Sequence, residues 1–148
     1  MENILVNNGL PALFVLSFLA ATVVPLGSEW LLVALVLKSF EVEHVVAVAT
    51  FGNYLGACTT YLAGQWGAGY LAGKIMRIDE AALDRARRFY GRYGAWTLLF
   101  SWLPVIGDPL CLAGGALRVN FFLFSILVFT GKLTRYAVVA AITASTMN

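Results

Sequence analysis

Pro25-Leu26-Gly27-Ser28-Glu29 decides how this chain is read. It lies inside an apolar run from Leu10 to Leu37. Proline breaks the helical hydrogen-bond ladder, glycine loosens it, and glutamate brings charge where hydrocarbon is expected. Seventy-nine residues later the chain repeats the pattern as Pro104-Val105-Ile106-Gly107-Asp108, again with proline four positions ahead of an acid.

Around the first break, the apolar block of 28 residues is long enough for one spanning helix, which needs about 20. Its two halves are each too short to cross alone. The block reads as a re-entrant hairpin, in along 10–24 and out along 29–38, with Pro25 and Gly27 at the turn. A single kinked spanning helix is an equal alternative from this block alone. Broken backbone at membrane depth is stable only where protein or a water-lined cavity covers it.

The whole composition agrees with a membrane. Of 148 residues, 60% are hydrophobic and 12% charged, and the mean hydropathy is +0.80, which excludes an ordinary soluble domain. One membrane domain over 1–148 is expected. Met1-Glu2-Asn3 lacks the basic start of a secretory signal. Cys58 and Cys111 lie in apolar segments and read as small buried hydrophobes. His44 is the only histidine, so no metal cluster and no cofactor is expected.

After a polar loop at 38–44, residues 45–72 read as a spanning helix without a charged residue. Gly52, Gly56, Thr60 and Gly64 recur every four positions and form a small-residue stripe, a close-packing face that would suit a homo-oligomer. Asn53 and Tyr61 lie beside it. Residues 73–94 hold half of the charged residues. Ala82, Leu83, Ala86, Phe89, Tyr90 and Tyr93 share one helical face, and Arg85, Arg88 and Arg92 another. This is an amphipathic surface helix with arginines toward lipid headgroups; nucleic acid is not an expected partner. Residues 95–117 form the second broken block, with Pro104, Gly107, Asp108 and Pro109 in its middle. Residues 119–145 read as the last spanning helix, with Lys132 and Arg135 on one face.

The offset of 79 extends beyond the breaks: Glu29 maps to Asp108, Ala34 to Ala113 and Gly52 to Gly131. Two repeats result, 10–72 and 95–145, joined by 73–94. A hairpin does not cross and the next helix does, so the second copy enters upside down. Inverted repeats of broken helices are the plan of many transporters. Lys74, Arg77, Arg85, Arg87, Arg88, Arg92 and Arg118 fall on one side against Lys38 on the other, which puts 73–94 in the cytoplasm and both termini outside.

Glu29, Asp108, Lys132 and Arg135 are the embedded charges. Each costs about 2.5–3.5 kcal/mol at a helix centre, so a functional role is the default expectation, weighed against two structural ion pairs. Lys132 and Arg135 can hold a phosphate, and Glu29 and Asp108 can carry protons. Asn53 is a further candidate for the site, because a buried amide needs partners. The parts suit a phosphate-bearing lipid moving with its tail in the bilayer. A small soluble anion fits almost as well, and a structural assembly protein is a third reading. No paired nucleophile and base and no phosphate-cradling loop is present, so an enzyme is not expected.

The hairpin Pro25-Leu26-Gly27-Ser28-Glu29, the helix with Gly52-Asn53-Tyr54-Leu55-Gly56 and Tyr61-Leu62-Ala63-Gly64, and Trp102-Leu103-Pro104 with Ala113-Gly114 resemble the DedA family. That family shares its domain with the SNARE-associated (VTT) proteins. The likeness runs from about residue 14 to 140 and is nearest the short YqaA-type branch. It implies a bacterial inner-membrane protein with two facing re-entrant hairpins. It also implies transport of a polyprenyl-phosphate carrier or phospholipid, coupled to protons. The chain departs from the family where arginines commonly flank the second proline, here Ser101 and Gly107. It departs again at Gln65, where an arginine often follows the glycine, and at Lys132 and Arg135, where the family usually has Asn and Gly. Lys132 and Arg135 would resupply the missing positive charge. The family's final helix has no counterpart, which agrees with an external C-terminus.

Overall fold

The computed structural model describes residues 2–22, 28–38, 40–66, 80–103 and 106–147. Pro25, Gly27, Pro104, Lys74 and Arg77 lie outside the described residues, and with them the two proline breaks. Every described element is helical: α1 (Glu2–Ala20), α2 (Glu29–Leu37), α3 (Val42–Gln65), α4 (Glu80–Tyr93), a 3-10 segment (Gly94–Trp102), α5 (Gly107–Ala116) and α6 (Phe121–Thr146).

Two helices are long and apolar enough to cross a bilayer, α3 with 24 residues and α6 with 26. They run antiparallel. Tyr61 meets Phe121 and Phe124, Tyr54 meets Phe129, and the Tyr54 hydroxyl donates to Ser125 Oγ over 2.7 Å. Neither starts where the hydropathy pattern alone would put it. α3 takes in Glu43 and His44, because a first turn keeps its free N–H groups at the polar end. α6 begins at the side-chain cap of Asn120, which accepts from the N–H groups of Phe122 and Leu123.

α1 begins well before residue 10 and continues through Pro11. Gly9 near its start lies against Leu35 near the end of α2, so α1 and α2 are antiparallel neighbours. The second block is built the same way with different backbone. Its first arm is 3-10 rather than α-helix. At about 2.0 Å per residue, nine residues reach roughly 18 Å instead of about 14 Å. The same number of residues therefore covers more length than an α-helix would. Gly107 and Pro109, expected at the break, instead fall in the first turn of α5. There a proline's missing N–H has no intrahelical acceptor to lose. The Gly107 N–H donates to the Leu103 carbonyl over 2.9 Å. A side chain at 107 would collide with the Ser101 carbonyl, so glycine sets how tightly the two arms close.

The 79-residue offset carries Glu29 to Asp108, Leu37 to Ala116 and Val42 to Phe121, all helix starts or ends to within one residue, whereas α1 shifted by the same offset falls across α4 and the 3-10 segment. Packing is crosswise. α1 seats on α3, while α2 packs on α6 and α5 packs on α3.

The small-residue stripe is consumed by this packing. A Cβ on Gly52 or Gly56 would come within 2.6 and 2.5 Å of the Phe14 and Phe18 carbonyls of α1, and one on Gly64 would strike the Leu112 carbonyl of α5. Thr60 donates to the Ala21 carbonyl over 3.0 Å. The expectation of a homo-oligomer through this face is therefore corrected: the chain's own α1 and α5 fill it.

Two apolar clusters form the core. One gathers Tyr61, Tyr90, Leu98, Leu110, Phe124 and Val128. The other gathers Leu13, Leu32, Leu35, Val45, Tyr136 and Ala140.

Candidate functional site

The polar site lies between the two clusters. On α6, Val128 belongs to one and Tyr136 to the other, and Lys132 stands four residues from each. On α3, Asn53 stands in the same relation to Ala49 and Ala57. One helical turn thus separates each apolar anchor from the polar layer.

Glu29 opens α2, and Asp108 lies in the first turn of α5. Each carboxylate therefore meets the positive end of a short helix. Arg135 reaches from α6 and pairs with Glu29, both side chains retaining about a fifth of their exposure. Its second arm donates to the Trp102 carbonyl over 3.1 Å, at the end of the 3-10 segment. One guanidinium thereby ties the start of α2 to the first arm of the second block. Its fork geometry is what permits two directed bonds at once.

Lys132 is different. It is 3% exposed, and among the described residues no carboxylate comes within ion-pairing distance of it. Asp108 and Cys111 are within electrostatic reach of its ammonium, and Asp108 within reach of Arg135 as well. The four embedded charges are thus brought together, but only one pair is closed.

The core also holds buried polar atoms with no hydrogen bond among the described residues, Thr50 Oγ1, Asn53 Oδ1 and Ser101 Oγ, while Ser17 Oγ interacts with the Tyr136 hydroxyl. Orphaned buried oxygens are rare in native proteins and mark strain, water or a ligand site. Asn53 does use its amide, donating Nδ2 to the Ser17 carbonyl over 2.9 Å. Ser28 Oγ and the Tyr136 hydroxyl are 2.6 Å apart, which fixes the residue before Glu29. Sequence reasoning misses Ser17, Ser28, Thr50, Ser101 and Tyr136 as site residues; their only signal is a hydroxyl in an apolar run.

Arg85, Arg88 and Arg92 are exposed on α4 and are not among the four embedded charges. α4 is held to the bundle by Ala86 and by Tyr90, whose hydroxyl donates to the Leu110 carbonyl over 2.9 Å.

No family model matches the chain, and no solved structure matches it. Three curated proteins do. The inner membrane protein YqaA of Escherichia coli is 40% identical over 137 residues, covering 92% of both chains. The protein of the same name from Shigella flexneri matches equally. An uncharacterized protein of Haemophilus influenzae is 39% identical over 137 residues, covering 87% of this chain and 83% of its own. With that identity over nearly the full length, and with two helices fit to span a bilayer, the chain is a membrane protein and belongs to the family of the inner membrane protein YqaA.

Proposed function

We propose that this protein moves a phosphate-bearing lipid, a polyprenyl-phosphate carrier or a phospholipid, across the membrane as a flippase or scramblase. The observation that carries the reading is Lys132: a cation 3% exposed, with no closed ion pair among the described residues, next in sequence to Gly131, which lies against the unpartnered Ser101 hydroxyl. A buried charge is costly unless something pairs with it. A phosphate headgroup supplies that charge, and the unpartnered hydroxyl can donate to its oxygens.

The antiparallel arm pairs, the crosswise packing and the 79-residue register favour two re-entrant hairpins related by an inverted repeat. In that arrangement α4 is cytoplasmic, and the helix starts that carry Glu29 and Asp108 meet at the polar layer. Arg135 is already held by Glu29 and Trp102. It acts as a tether between α2 and the 3-10 segment, while Lys132 is the headgroup contact. Asp108 balances Lys132 when the site is empty, takes up a proton as the phosphate enters and gives it back as the phosphate leaves.

The test is a flipping assay in proteoliposomes with labelled polyprenyl phosphate and labelled phospholipid. Transfer of either, lost in Lys132→Ala, is expected. If both lipids stay put while a soluble phosphate is taken up, the lipid reading fails and a soluble-anion transporter replaces it. Asp108→Asn is expected to flatten the pH dependence of transfer.

A further inference from the structure

A second site lies away from the embedded charges. Phe89 and Tyr93 of α4, Phe100 of the 3-10 segment, and Leu103, Ile106 and Leu110 of the second block enclose a cavity of about 250 Å³. Thr97 also lines it, but its hydroxyl is engaged, donating to the Phe89 carbonyl over 3.1 Å. A water needs two to four polar partners, and an apolar void of about 150 Å³ already accepts a benzene-sized guest. This cavity suits a run of methylenes.

Its rim is open. Phe89 is 39% exposed, and Tyr93 and Phe100 are each 48% exposed. The position of that rim on α4 is informative. At 100° per residue, Phe89 and Tyr93 lie between the buried Ala86 and Tyr90 on one flank and Arg85, Arg88 and Arg92 on the other. Arg92 stands over the Tyr93 ring, 5.5 Å from its centroid. Arg87 is paired with Asp84 at 3.2 Å. Among the described residues no carboxylate is within ion-pairing distance of Arg85, Arg88 or Arg92.

We infer that the groove holds one hydrocarbon chain of an anionic phospholipid whose headgroup lies on the Arg88–Arg92 flank. The charge at the mouth selects the occupant. A zwitterionic lipid leaves the arginines uncompensated, whereas an anionic headgroup meets them while its chain fills the cavity. The bound lipid wedges α4 against the second block, and the inference does not depend on the transport reading.

The experiment places p-benzoylphenylalanine at Phe100 on the rim. The control site is Val138, 51% exposed on α6. The full chain is irradiated in vesicles of mixed phosphatidylethanolamine and phosphatidylglycerol, and adducts are identified by mass. Phosphatidylglycerol adducts are expected to be enriched several-fold at 100 relative to 138. Arg88→Gln with Arg92→Gln, both at exposed positions, is expected to abolish that enrichment without changing the yield at 138. Adducts at 100 that mirror those at 138, or adducts to the chain itself or to a second copy, would overturn the inference.

Discussion

Glu29 and Arg135, 106 positions apart in sequence, form an ion pair that joins the first turn of α2 to the middle of α6. It joins α2 to α6, and through the Trp102 carbonyl Arg135 also reaches the end of the 3-10 segment.

That pair should show measurable coupling. Removing one partner of a buried pair costs about 3–5 kcal/mol, largely through the charge left behind. Here each side chain keeps about a fifth of its exposure, so the low end is expected. Glu29→Ala and Arg135→Ala should each lower the unfolding midpoint in detergent. The double variant should lose less than the sum, with a coupling of roughly 1–3 kcal/mol. Additive losses would mean the pair contributes nothing to stability.

Lys132 should behave in the opposite way. Replacing a buried charge by an apolar side chain of similar volume is often neutral or stabilising, by about 1–4 kcal/mol. Lys132→Met is therefore expected to hold or raise the unfolding midpoint while abolishing lipid transfer. A variant that unfolds but still transfers lipid when assembled would make Lys132 structural.

Two glycines give a controlled comparison of packing with propensity. A Cβ at position 115 would strike the Tyr61 carbonyl, whereas one at Gly91 meets nothing within 4 Å. Gly115→Ala should cost about 1–3 kcal/mol as the backbones are forced apart. Gly91→Ala, inside α4, should gain up to about 1 kcal/mol of helix propensity. Thermal unfolding of both variants checks the pair. Equal effects would mean that α3 and α5 are not in backbone contact.

The proposed hairpin arrangement predicts a topology that labelling can read. In a background with Cys58 and Cys111 replaced by alanine, cysteines at Asn8 and Lys38 should react with an impermeant reagent from one side of the membrane. Cysteines at Arg92 and Arg118 should react from the other. Labelling of Asn8→Cys and Lys38→Cys from opposite sides would mean that the first block crosses, and the hairpin arrangement would be lost.

Much of this site was legible in the chain because charge is conspicuous in an apolar run. Glu29, Asp108, Lys132 and Arg135 announce themselves by their insertion cost alone. Hydroxyl residues do not, because in a helix they can satisfy themselves on their own backbone. Thr134 and Thr143 do so, donating to the carbonyls four residues back. Sequence offers no way to tell them from Thr50 or Ser101, whose buried hydroxyls find no hydrogen bond among the described residues.

The glycine stripe marks the same boundary. Its periodicity states that backbone will approach closely, and says nothing about whose. Occupancy by α1 and α5 instead of a second copy is decided by the tertiary packing that brings those elements onto α3.

The membrane setting and the identity of the embedded charges follow from residue type and spacing alone. The tertiary structure decided the pairing. Arg135 closes on Glu29 and the Trp102 carbonyl while Lys132 is left open beside Asp108, because pairing depends on how α6 is rotated and how far it slides between the two blocks. Those are rigid-body relations set by the two apolar clusters, and no local pattern encodes them.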